Sequence, residues 1–71
     1  MAKTITISES LERDIVNFCE DELNYHINES RCADAYDTEI RTQIKLLKLL
    51  GYEQMAEGYL NDYEAWRKEN L

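Results

Sequence analysis

IRTQIKLLKLL, residues Ile40 to Leu50, is the stretch around which the chain is organised. At the ~100° per residue of a helix, Ile40, Ile44, Leu46, Leu47, Leu49 and Leu50 cover more than half of the circumference. Arg41, Lys45 and Lys48 share the remaining arc. An apolar surface that wide needs more than one neighbour to hide it, so this helix is expected at the centre of the molecule. Asp37 or Thr38 is placed to cap its start, and Gly51 is a stop signal after Leu50. Lys45 and Lys48 near its end suit the negative pole of the helix dipole.

Two further amphipathic segments flank it. On the N-terminal side, Ser8 or Ser10 can cap a helix running from about residue 9 to 28, with Glu9, Glu12 and Asp14 in its first turns. Leu11, Ile15, Phe18, Cys19, Leu23 and Ile27 make its apolar side, with Val16 at the margin. Glu22 falls among Leu11, Ile15, Phe18 and Tyr25, where a carboxylate needs a partner or an exit to water. Residues 29–37, ESRCADAYD, break the pattern and read as a linker before the central helix, which spans about 38–50. On the C-terminal side, residues from about 52 to 70 carry the stripe Tyr52, Met55, Ala56, Tyr59, Leu60, Tyr63 and Trp66, opposite Glu53, Glu57 and Glu64. Glu64 and Lys68 have the spacing of an ion pair along this helix. Gly58 inside it costs up to about 1 kcal/mol relative to alanine and leaves room for another backbone to approach.

Three helices joined by short connections predict an all-α fold: a small three-helix bundle in a single domain, residues 1–71, with an extended N-terminus over 1–8. Absent proline and only two glycines agree with that class. The 44% hydrophobic share suits a folded chain even beside 32% charged residues. Within the N-terminus, Thr4, Ile5, Thr6 and Ile7 alternate as a half-buried strand does. A lone strand leaves its backbone groups unpaired, so it calls for a copy of itself in a homodimer or for the sheet edge of a partner.

Charge is the strongest global signal. The net charge is −7, and it is uneven: residues 9–39 carry ten acids and two bases, residues 40–51 carry +3 and residues 52–71 carry −3. Nucleic acid repels such a chain at long range, so direct nucleic-acid binding is not expected, and a basic protein surface is the better match. The arc Arg41, Lys45, Lys48 is expected to pair with the acidic first helix, in the same chain or in a dimer mate. There is no apolar run of ~18 residues to span a membrane, and the start MAKTITIS lacks the apolar core of a signal peptide. Cytoplasmic location is therefore expected, with Cys19 and Cys32 as reduced thiols rather than a disulfide.

Catalytic chemistry finds little footing. There is no G-x-S-x-G, no glycine-rich phosphate loop and a single histidine, His26, to act as a base. Cys19, Glu22 and His26 share a helical face at i, i+3 and i+7, but without C-x-x-C spacing or a second histidine they read as ordinary neighbours, and neither metal nor cofactor is expected.

KTITIS followed by SLERDIVNFCEDEL resembles the start of the ribbon-helix-helix repressors and antitoxins, whose paired N-terminal strands enter the DNA major groove. The resemblance covers the first third of the chain, and the short turn and second helix of that family are not recognisable after it. It implies an obligate dimer with Thr4 and Thr6 facing outward beside Lys3. In size and charge the chain also looks like the small inhibitors carried by phages and mobile elements, including anti-CRISPR proteins that mimic nucleic acid. Among three functions compatible with these features, a non-enzymatic acidic inhibitor or regulator that occupies a basic surface of a larger protein leads. Glu20, Asp21, Glu29, Asp34, Asp37 and Glu39, with Tyr36, are its expected contact residues. The others are a dimeric regulator of the ribbon-helix-helix kind and a structural subunit of an assembly.

Overall fold

The computed structural model describes residues 6–71, which form three α-helices and no strand. Helix α1 spans Glu9–Asn24 and continues without a break into a single π turn, Tyr25–Glu29. A short 3-10 turn, Ala33–Tyr36, leads into α2, Asp37–Leu49, and α3 covers Glu53–Asn70. Ser8, not Ser10, starts α1: its Oγ accepts the backbone N–H of Leu11 at 3.1 Å, satisfying one of the donors orphaned at a helix start. Of the proposed strand, Thr4 and Ile5 lie outside the described residues; Thr6 is exposed and Ile7 half-buried, both without regular secondary structure.

The expectation of a central second helix holds, since α2 packs on both α1 and α3. Ile40, Ile44 and Leu47 are buried, and Leu46 and Leu50 are half-buried against the same core. Leu49 departs from the pattern and is 84% exposed. The core also takes Val16, Cys19, Leu23 and Ile27 from α1 and the π turn, Ala33 from the 3-10 turn, and Ala56 and Tyr63 from α3. His26 and Ile27, adjacent in the π turn, are both buried.

The end of α2 is built around Gly51. Its φ of 97° lies in the left-handed region. Its N–H donates to the Lys48 carbonyl at 3.1 Å, and the N–H of Tyr52 donates to the Leu47 carbonyl at 2.9 Å. These are the two hydrogen bonds of a Schellman motif, which reverses the chain in time for α3 to return along α2. The start of α2 differs from expectation. Tyr36 occupies the cap position without a side-chain cap, Asp37 is the first helical residue, and the Asp37 carboxylate turns instead toward α3.

That carboxylate joins the helices. Tyr63, fully buried, donates its hydroxyl to Asp37 Oδ1 at 2.6 Å, and Arg41 donates to the same oxygen at 3.0 Å. The Tyr63 bond, and then Arg41, hold the Asp37 carboxyl below its usual range, while burial first and then Asp37 push the Tyr63 phenol up to about 12. Two more tyrosines work similarly: Tyr52 donates to Glu12 at 3.3 Å, and Asn24 donates to the Tyr59 hydroxyl at 3.2 Å. The aromatic side of α3 is thus core with polar tips reaching the other helices.

Candidate partner-binding face

The ion pairs do not fall where charge alone suggested. Arg41 pairs with Asp37 and, at 3.4 Å, with Glu64 of α3, so Glu64 reaches across to α2 rather than along its own helix to Lys68. Lys48 lies 3.8 Å from Glu57, also on α3. Arg41 and Lys48 of the basic arc are therefore answered by α3 and by the first residue of α2, while Lys45 forms no ion pair among the described residues. Geometry decides this, because the arc flanks the α2–α3 seam. Among the described residues, no carboxylate of α1 forms an ion pair with a lysine or arginine; Glu22 lies 3.9 Å from His26 Nε2, and Glu12 takes the Tyr52 hydroxyl.

The expected contact residues are spread over four consecutive elements. Glu20 and Asp21 lie on α1, Glu29 ends the π turn, Asp34 and Tyr36 belong to the 3-10 turn, and Glu39 lies in the first turn of α2. Asp21, Glu29, Asp34 and Glu39 are exposed, and Glu20 is partly exposed. Asp37 is set apart from them by its internal bonds to Tyr63 and Arg41. One carboxylate that periodicity did not single out joins the group: Asp62 of α3, with Glu20 and Asp21 of α1, surrounds the Tyr59 phenol, whose pKa is raised first by burial and then by these charges.

Tyr25, His26 and Tyr36 form an aromatic cluster between the π turn and the 3-10 turn. The His26 ring stacks on Tyr36 with centroids 4.1 Å apart and 22° between planes, and Tyr25 meets it edge-on at 5.4 Å. His26 Nδ1 is buried without a hydrogen-bond partner among the described residues. Cys19 is buried, its thiol pKa pushed up by that burial, whereas Cys32 is exposed, and both are free. Among the described residues, no three of His, Cys, Asp and Glu converge as metal ligands would.

The apolar side of α1 splits in two. Val16, Cys19, Leu23 and Ile27 face the core, while Leu11, Phe18 and Tyr25 stand 46%, 58% and 52% exposed. Glu22 finds its exit to water by this route: it lies in the outward half, with its side chain 41% exposed. The spacing 11, 15, 18, 22, 25 was legible in the sequence as a stripe, but periodicity does not say which of two adjacent stripes the other helices cover. Gly58 likewise faces open space, with no other backbone beside it. None of the helices is long and apolar enough to cross a membrane, among the described residues. Comparison with protein-family models, with curated proteins and with solved structures gives no match to this chain.

Proposed function

We propose that this chain is a small, non-enzymatic acidic protein that inhibits or regulates a larger protein by occupying its basic, nucleic-acid-binding surface, in the manner of phage and mobile-element inhibitors. The observation that supports this most is the segregation of charge. The lysine and arginine side chains that form ion pairs are engaged with Asp37, Glu57 and Glu64, which leaves the carboxylates from Glu9 to Glu39, Asp37 apart, without a lysine or arginine partner among the described residues; Glu22 has only His26 at 3.9 Å. Carboxylates that neutralise nothing in their own fold keep their full field in solvent, and they attract an opposite patch at long range. Such a face also repels DNA and RNA, so competition for a shared basic site follows from the same charges.

The test is displacement. Fluorescent duplex DNA bound to members of a panel of basic nucleic-acid-binding proteins is titrated with the chain, and with the variant Glu20→Lys, Asp21→Lys, Glu29→Lys, Asp34→Lys, Glu39→Lys. The native chain is expected to displace DNA from at least one panel member, weakly at high salt, and the reversed variant to fail. Displacement that survives both charge reversal and salt would sink the electrostatic reading. So would a native chain that is a dimer by light scattering and binds the DNA itself, which is the behaviour of a ribbon-helix-helix regulator.

A further inference from the structure

We infer that the outward stripe of α1, formed by Leu11, Phe18 and Tyr25 and flanked by Asp14, Asp21 and Glu22, is a docking face for a basic amphipathic helix of the partner protein. This deepens the acidic-binder reading and rests on it. Positions 11, 15, 18, 22 and 25 recur at alternating intervals of four and three, the spacing of a coiled-coil seam, and they run for about 21 Å along α1 to the first residue of the π turn. Isolated apolar side chains on a surface need no explanation, but three large ones aligned on one helix form a continuous strip. Ile15 is half-buried against the core, but Leu11, Phe18 and Tyr25 lie outside it, since the core is filled from the adjacent stripe that begins at Val16.

Charge selects the occupant. Glu22 sits within the strip itself, so any helix that covers the strip removes Glu22 from water. His26 Nε2 lies 3.9 Å from Glu22, too far to hydrogen-bond it, so the step is unfavourable unless the incoming helix brings a lysine or arginine. Asp14 and Asp21 line the outer border of the strip, exposed and without ion pairs among the described residues, and they ask for further cations at the flanking positions of the same helix. Arg13, the single cation of α1, points about 140° away from Phe18 around the helix. A second copy of this chain fits poorly. Antiparallel pairing of two α1 strips sets Asp14 opposite Glu22, and each copy carries −7. The stacking of His26 on Tyr36 and edge-on to Tyr25 holds the end of the strip in place, so an anchor there binds with little loss of side-chain freedom.

The experiment uses the intact chain and three fluorescein-labelled synthetic helical peptides. One has leucine at its seam positions and lysine beside them, one keeps the lysines but has glutamine in the seam, and one keeps the leucines but has glutamate beside them. The leucine–lysine peptide is expected to bind, with each of the other two weaker by at least about tenfold. Phe18→Ser with Tyr25→Ser should weaken binding by a similar factor while the thermal unfolding midpoint stays within a few degrees, because both side chains are already exposed. Equal binding of the leucine–lysine peptide to native chain and double variant would overturn the inference. So would a solution mass that doubles in the native chain and returns to monomer in the variant, since the strip would then belong to a second copy. In the DNA-displacement assay, a double variant that still displaces while the charge-reversed variant does not would leave the acidic-binder reading standing and remove only the strip. Loss of displacement in neither variant would remove both.

Discussion

The two glycines show how little a residue type says without its surroundings. At Gly51 the backbone is in the left-handed region, where a Cβ meets the following carbonyl. Gly51→Ala is therefore expected to destabilise the fold by about 1–2 kcal/mol, although the space around the position is open. At Gly58 the same open space accompanies ordinary helical geometry, so Gly58→Ala is expected to stabilise by up to about 1 kcal/mol. Urea denaturation of the two variants side by side measures both, and equal signs would refute this account of the backbone. Gly51 was legible as a helix stop in the sequence because the stop signal is local. The emptiness around Gly58 was not, because it depends on where the other helices lie.

At the scale of the elements, α2 and α3 are joined through one carboxylate that takes both Tyr63 and Arg41. Asp37 titrates below its usual range, so its contribution is complete above about pH 4 and is lost as the pH falls through its lowered pKa. Tyr63 titrates above its usual range, so its contribution is complete below about pH 10 and is lost as the pH rises through about 12. Stability measured by urea midpoint across pH is expected to fall on both sides of a broad plateau. Tyr63→Phe should lower stability at pH 7 by about 1–2 kcal/mol and shrink the acid limb, while Arg41 still supports Asp37. Part of the alkaline limb should persist, since the Tyr52 and Tyr59 phenols are also raised. An unchanged midpoint at pH 7 would mean that this hydrogen bond contributes nothing net. From sequence, Asp37 has the residue type and position of a helix cap or a surface charge; only the return of α3 past the start of α2 brings a phenol to it.

The whole molecule is small enough that a single core truncation is decisive. Ten hydrophobic residues are buried among the described residues, and a chain of this length has about 3–5 kcal/mol to lose. Leu47→Ala, at a fully buried core position of α2, is expected to cost about 2–5 kcal/mol and to abolish a cooperative melt followed by circular dichroism at 37 °C. A native chain that melts without cooperativity on its own would favour the reading of a structural subunit that needs neighbours. Three helices, the Gly51 turn, the acid-rich first half and the aromatic stripe of α3 follow from the sequence alone, because each rests on local periodicity, backbone propensity or formal charge. Tertiary structure decided which half of the α1 apolar surface is buried, which carboxylates the basic arc of α2 engages, and that Asp37 joins α2 to α3. These outcomes depend on which helix lies beside which, and the same sequence pattern is compatible with more than one neighbour until the helices pack.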